Sequence, residues 1–410
     1  VISGLSKRRR INLLYQIGES MTFHIWNDLQ MEKINIALVG CGGIAEFHVE
    51  GYRDLHTRGL RIFDLKAVCD ISVENAKSKA EMIERFQGSK PAVYSSLDEM
   101  LCNESIDAVD LCLPHNVHHT IARKCLDERV HILIEKPLAI TMRAARSIIQ
   151  KAEKTGKVLA VAENYRREPK ERAIHWAIRK GLIGEPRMVI WMAATWMPKP
   201  WGWREDKFVA GGSWVFDGGV HWADLDRYQL GREAVEVFAM NHTFDKVKEG
   251  VRVTVDDMTM AIIRYEGDVY SQWLWTRAAP AKQTLMHTLY GSKGALTNEG
   301  LYLQKENGVV ENKPMTTLLS KMKNDLDKSE LERLFPRGST NTFAIELYDF
   351  YLSITENQRP EVDAIEGYKD MAIPLGFYES AVLHRPVSVK DVEELRVEEY
   401  QKEINEKLGI

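Results

Sequence analysis

From residue 34 onward, short continuous apolar runs alternate with longer stretches whose apolar positions recur at helical spacing. The runs are INIALVG, LKAVCD, AVDLCLP, HILIEKP and VLAVAEN. None alternates apolar with polar, so each reads as a strand buried on both faces. The stretches between them read as helices. In residues 44–55, Ile44, Phe47, Tyr52 and Leu55 fall on one face, and TMRAARSIIQKAEKTG stops on Gly156, a residue suited to a helix end. Strand–helix alternation of this kind predicts an α/β fold with a doubly wound parallel sheet.

The texture changes after about residue 185. PRMVIWMAAT, AVEVFAM, DMTMAIIRYEG, VYSQWLWTRA and TLMHTLYGS are longer β-rich runs, with turn signals such as YEGD and GSKG between them. They predict a large, mostly antiparallel open sheet in an α+β domain. Helices are predicted over 340–357 and 366–384. The charged end of the chain reads as one more helix, with Leu395, Val397, Tyr400, Ile404 and Leu408 as a thin apolar stripe. The resulting division is a peripheral extension over 1–32, a nucleotide-binding domain over 33–165, a substrate-binding and oligomerisation domain over 166–390, and a C-terminal helix over 391–410. Met31 is the expected start of the functional part, because MEKINIALVG opens like a cytoplasmic nucleotide-binding chain. The preceding SKRRRINLLYQIGES is basic, then mildly apolar, and lacks the apolar stretch of a secretory signal; an amphipathic organelle-targeting segment is the alternative reading.

Composition narrows the class. With 410 residues, two domains are expected, since single cores stop growing at about 250–300 residues. A net charge of −4 gives no basic surface for nucleic acid. No apolar run approaches the roughly 20 residues of a membrane span. The five cysteines lie in the first third of the chain, and none forms a C-x-x-C pair. That is a poor disulfide framework and fits reduced thiols in the cytoplasm.

The first chemical signal is IALVGCGGIAEFH. Gly40 closes a strand, Gly42 follows two residues on, and Ala45 completes a G-x-G-x-x-A pattern at a helix start. The first glycine permits the tight turn, the second lets a pyrophosphate approach the backbone, and the small third residue lets helix and strand pack closely. Asp70 ends the next strand, where a carboxylate binds the ribose hydroxyls and repels a 2′-phosphate, so NAD is expected rather than NADP. The turn Gly40, Cys41, Gly42, Gly43 and Ile44 and then Asp70 are therefore the first cofactor contacts. Leu113, Pro114, His115 and His118 follow the AVDLCLP strand and are further candidates. His115 and His119 are four apart, also a metal-ligand spacing, but no cysteine, glutamate or third histidine supports a metal, and none is assigned. Glu135 and Lys136 end the HILIEKP strand. Ligands of open parallel sheets bind beyond such strand ends, where a lysine can donate a hydrogen bond to a reacting oxygen.

In GGSWVFDGGVHWADLD, Asp217 and His221 stand four residues apart, on one side of a helix start if that helix is continuous. A carboxylate placed there would make the imidazole a usable base. Gly211, Gly212, Gly218 and Gly219 are expected to let the backbone approach the ligands. Six of the ten tryptophans fall within 191–222, and PKPWGWRED reads as a loop over the site, with Trp203 and Arg204 as candidate substrate contacts.

VGCGGIA, CD, LPHNVHH, EKP, AENYRREP and GGSWVFDGGVHWADL, in this order, resemble the glucose–fructose oxidoreductase, inositol dehydrogenase and MocA-like family over roughly residues 33–390. Where that family often carries a Thr-Pro-Asn motif, this chain has Leu113-Pro114-His115, so the cofactor contact differs there. The resemblance implies a catalytic group of Lys136, Asp217 and His221, in which either His221 or Lys136 is the immediate base, with Asn164 and Tyr165 joining Trp203, Arg204, Asp217 and His221 at the substrate. It implies NAD-dependent hydride transfer to or from a sugar, sugar alcohol or related polyol, in a homodimer or homotetramer built on the open sheet. Two other activities occur on this fold: an NAD-dependent glycosidase that oxidises its sugar transiently, and a silent sugar-sensing regulator. Retention of all three catalytic residue types argues against the regulator.

Overall fold

The computed structural model describes residues 31–410. The expected peripheral role of residues 1–30 lies outside them. The first domain alternates β1 (Ile34–Val39), α1 (Gly43–Thr57), β2 (Phe63–Cys69), α2 (Val73–Gln87), β3 (Ala92–Tyr94), α3 (Leu97–Asn103), β4 (Ala108–Leu111), α4 (His115–Asp127), β5 (His131–Glu135), α5 (Met142–Thr155) and β6 (Leu159–Ala162). Its six strands are all parallel, in the order β3-β2-β1-β4-β5-β6. Strand order reverses at β1 and β4, and the crevice outside their carboxyl ends is where such sheets hold ligands. Ser72, Ser96 and Thr141 each cap the helix that follows by accepting a backbone N–H.

Helix α1 departs from the expected phase. Ala45, His48, Val49, Tyr52 and Leu55 are buried, whereas Phe47 is 57% exposed and stacks on Phe343 at 5.6 Å. A polar residue, His48, thus occupies the inward face that the apolar pattern assigned to Phe47.

A single 3-10 turn at Tyr165–Arg167 leads into α6 (Pro169–Arg179), β7 (Pro186–Ala194), α7 (Lys207–Ala210), α8 (Trp214–Asp217), α9 (Gly219–Leu230) and β8 (Ala234–His242). A small hairpin, β9 (Val247–Lys248) and β10 (Val251–Arg252), precedes β11 (Met258–Tyr265), β12 (Val269–Thr276), β13 (Thr284–Gly291), β14 (Gly294–Thr297), β15 (Gly300–Gln304) and β16 (Val310–Pro314). The chain closes through α10 (Met315–Asp325), α11 (Lys328–Leu334), α12 (Thr342–Thr355), α13 (Ala364–Leu383), β17 (Val387–Ser388), α14 (Val389–Glu393) and α15 (Lys402–Leu408). The second sheet has nine strands, ordered β16-β15-β14-β13-β7-β12-β11-β8-β17. Only β7 and β12 pair in parallel, so the sheet is mostly antiparallel, as predicted.

Its two faces differ. One buries Val189, Trp191, Val237, Ala261, Ile263 and Trp273 in the same core as α9 and α13. On the other, register aligns Met286, Met192, Leu274, Met260 and Met240 in one row and Ile190, Gln272, Ile262 and Phe238 in the next. Met240 is 66% and Ile262 53% exposed.

Two segments return to the first domain. Ala344, Leu347, Phe350 and Tyr351 of α12 share a core with β1 and α1, so this helix completes the domain that the linear division ended at residue 165. The end of the chain is two short helices rather than one, because Leu395 takes φ 60° between them. Its apolar stripe still packs on the core, with Ile404 buried. Gln401 Oε1 accepts the Met142 N–H (2.8 Å), and Thr141 bonds Asn405 (2.7 Å), tying the chain's end to α5.

Candidate active site

The glycine turn has the form the sequence predicted. Gly40 takes φ +88°, and a Cβ there would stand 2.2 Å from the carbonyl oxygen of Cys112, so only glycine fits between β1 and β4. Nothing lies within 4 Å of a Cβ built at Gly42 or Gly43, which leaves the start of α1 open for a phosphate. Cys41 and Ile44 complete the turn, Cys41 buried and Ile44 half-buried. Asp70 Oδ2 accepts the Cys41 N–H (2.6 Å), and its Oδ1 accepts that of Ser72 (2.7 Å). The carboxylate thus stands beside the turn, where a ribose would follow the phosphates. These residues fit a dinucleotide.

The next group of cofactor candidates divides. Leu113 and Pro114 are half-buried after β4, but His118 is fully buried, its ring nitrogens on the carbonyls of Pro137 and Leu113 (2.9 Å each). It holds two strand-end loops together and does not line the crevice. His115 is buried too. Its Nδ1 meets the carbonyl of Ala210 (2.7 Å) and its Nε2 meets Asp217 Oδ1 (3.2 Å), so it joins the two domains instead of facing a cofactor. Glu135 is buried, and its Oε1 lies 3.1 Å from His48 Nε2, with Lys136 and His221 also acting on its charge.

Lys136 and Asp217 meet as the resemblance implied. Lys136 Nζ donates to Asp217 Oδ1 (3.1 Å) and to its carbonyl (2.9 Å). Arg204 Nε donates to Asp217 Oδ2 (2.7 Å). Burial pushes the Asp217 carboxyl up, but Lys136, His115 and Arg204 outweigh it and hold the group well below the usual carboxylate range. Burial also pulls Lys136 down, and Asp217 and Glu135 outweigh it, leaving the ammonium above the usual lysine range.

Asp217 is not the partner of His221. Asp217 ends α8 and His221 lies in α9, a separate helix, so the four-residue spacing does not put them on one face. Gly218 makes the break, and a Cβ there would stand 2.2 Å from the Trp214 ring. At Gly212 and Gly218, the approach the glycines permit is to Tyr378 and Trp214 inside the protein rather than to ligands.

The carboxylate on His221 is Glu163, whose oxygens lie 2.6 and 2.8 Å from Nδ1. Glu163 follows β6 and also accepts the Tyr165 N–H (2.9 Å). Burial raises its carboxyl, but His221, that N–H and Lys136 together bring it below the usual value. Tyr165 stacks flat on His221, with centroids 3.8 Å apart and planes within 3°. Glu163 is not among the residues the motifs single out, although it is the first residue after a buried strand just as Lys136 is. Asn164 points to Thr342 (3.3 Å).

The tryptophans also separate. Trp191, Trp214, Trp222 and Trp273 contact one another in the core at 4.7–5.3 Å. Trp201 and Trp203 flank the guanidinium of Arg204 at 4.5 and 4.2 Å. Beneath them Glu205, paired with Arg277 and accepting the Trp201 N–H (2.8 Å), anchors the loop.

A doubly wound sheet with an open glycine turn, and a lysine and a histidine converging over its strand ends from two domains, defines a two-domain dinucleotide-dependent oxidoreductase. Residues 34–163 match the oxidoreductase family with NAD-binding Rossmann fold, and residues 172–297 match the GFO/IDH/MocA C-terminal domain. The chain belongs to the GFO/IDH/MocA family. It is 26% identical over 297 residues to the 1,5-anhydro-D-fructose reductase of Ensifer adhaerens, covering 72% of this chain and 84% of that one. To the levoglucosan dehydrogenase of Pseudarthrobacter phenanthrenivorans it is 24% identical over 400 residues, covering 88% and 100%. The solved structure of a levoglucosan dehydrogenase with NADH and levoglucosan superposes with a TM-score of 0.73 at 23% identity, covering 87% and 100%. No helix of the described residues is long and apolar enough to cross a membrane.

Proposed function

We propose that this oxidoreductase moves a hydride between NAD and a hydroxyl-bearing carbon of a sugar, sugar alcohol or related polyol. The reading rests on one observation: Lys136 and His221 are each held by a buried carboxylate, Asp217 and Glu163, and the lysine's charge also reaches the histidine's partner Glu163. Bound nicotinamide supplies the hydride acceptor. In the oxidation direction His221 takes the hydroxyl proton as the hydride leaves the same carbon. Glu163 fixes the ring through Nδ1, which leaves Nε2 for the substrate. Lys136 acts as a donor and not as the base, because Asp217 keeps it charged, and it stabilises negative charge on the reacting oxygen. Tyr165, Trp203 and Arg204 line the sugar side, Gly42, Gly43 and Asp70 the NAD side.

The exposed apolar face of the nine-stranded sheet supports assembly of two or four copies, since monomers rarely leave so continuous an apolar patch in water. The free cysteines support a reducing, cytoplasmic setting. The test is a panel of sugars, polyols and glycosides with NAD and NADP, following reduced cofactor and released aglycone separately. Net NADH formation, with a higher kcat/KM for NAD than for NADP, is expected. Aglycone release without net NADH would replace the dehydrogenase by a glycosidase.

A further inference from the structure

His48 and Asp110 have no exposed side chain, and both belong to the interior of the first domain. The ring of His48, from α1, lies between two carboxylates. Its Nδ1 is 2.9 Å from Asp110 Oδ2 on β4, and its Nε2 is 3.1 Å from Glu135 Oε1 on β5. Tyr52, one turn along α1, donates to the same Asp110 oxygen (3.0 Å). An ionised carboxylate only accepts, so this geometry fits a ring that carries hydrogen on both nitrogens, an imidazolium. Burial opposes that charge, but the Asp110 carboxylate outweighs it and raises the ring well above the usual histidine value. From α12, Phe343 covers the ring at 5.2 Å, and Glu346 brings a buried carboxyl whose oxygens have no partner among the described residues. Burial pushes Glu346 up to about 8, although His48 and Arg167 work against the rise.

The position of this cluster is informative. Helix α1 begins at the glycine turn, and β5 ends at Glu135, the residue before Lys136. We propose that His48 is a positioning residue: its imidazolium locks Glu135 and so commits Lys136 to Asp217, joining the cofactor-receiving helix and the lysine in one rigid unit. Without the imidazolium, Glu135 and Asp110 are left as buried carboxylates short of a counter-ion, and Glu135 competes with Asp217 for the ammonium. The inference rests on Lys136 acting in catalysis as described above. His48, Asp110 and Cys112 are also close enough to share a metal, their donor atoms all within 4.8 Å of one another, but both ring nitrogens already face carboxylates.

The charge of the ring is readable without any turnover. In protein labelled with ¹⁵N-histidine, the ring signals lost in His48→Gln should show two protonated nitrogens at ~pH 8, well above an ordinary histidine's titration. In Glu135→Gln the Nε2 signal should shift, because its acceptor changes, while the Nδ1 signal facing Asp110 stays. A neutral His48 ring in the wild type, or stoichiometric metal that disappears with His48→Gln, overturns the proposal. In kinetics, His48→Gln should lower kcat by about tenfold or more while the KM for NAD changes less than about threefold. Adding Glu135→Gln should then recover most of that loss, because it removes the stranded charge. Independent, multiplicative losses would mean that His48 is only filler. Should His48→Gln not fold, Glu135→Gln carries the kinetic test: an unchanged kcat rejects the coupling. A wild type inactive on the whole panel but with a doubly protonated ring would count against the oxidoreductase reading and not against the clamp.

Discussion

Asp217 and Glu163 are both buried carboxylates, and they are held in different ways. Asp217 accepts from Lys136 and Arg204 and meets His115, which draws together β5, the tryptophan loop and α4. Glu163 serves a single imidazole and one backbone N–H. One carboxylate is a junction for cations, and the other orients a base. Two acids of similar burial thus take unlike parts because of the groups in hydrogen-bond contact with them, and substitutions at the two should be unlike as well.

The largest effects belong to the groups that the carboxylates hold. Lys136→Ala and His221→Ala should each lower kcat by about 10²–10⁴, as expected on losing an acid–base group or a charge stabiliser. Single-turnover kinetics with deuterated substrate show whether hydride transfer is the step observed. The double change should cost less than the product of the singles, since both act on one oxygen. If His221→Ala turns over like the wild type, the Glu163–His221 pair is structural.

The carboxylates themselves separate stability from rate. Asp217→Asn leaves two cations without their counter-ion and should destabilise by about 3–5 kcal/mol, read from thermal or denaturant unfolding. Because the folded state holds Asp217 well below the unfolded value, its contribution is present above the ordinary carboxylate range and lost as pH falls through the folded value. The gap between wild type and Asp217→Asn should therefore be widest near neutrality and close in acid. Glu163→Gln should reverse the balance, with a smaller loss of stability and a kcat lowered about tenfold. Equal ratios of kcat loss to stability loss at the two positions would erase the distinction. The smallest effect is at the rim. Arg204→Lys keeps the charge but loses the flat stacking between Trp201 and Trp203, and should raise the substrate KM a few-fold with kcat within about twofold.

The first sheet was legible because continuous apolar runs, the glycine pattern and the position of Lys136 are local facts of the chain. The Asp217–His221 pairing was not, because four-residue spacing places two side chains together only in an unbroken helix, and here one helix ends at Asp217 and the next starts at Gly219. Glu163 could have been found by the strand-end argument that found Lys136. His48 could not, since a pattern of apolar positions has no place for an inward imidazole whose partners lie on two other strands. The single C-terminal helix failed for a similar reason: the left-handed turn at Leu395 leaves no glycine or proline to mark it.

Helix α12 has a consequence for the order in which the protein is made. Its Ala344, Leu347 and Phe350 cover α1 and β1, which the ribosome delivers some 300 residues earlier. Until Thr355 has left the exit tunnel, the inward side of the helix that opens at the glycine turn has no lid, and His48, which Phe343 covers, stays open to water. A nascent chain stopped at Glu163 would hold the six strands and the glycine turn but expose the apolar seat of α12, making it a client for chaperones and a poor binder of nucleotide.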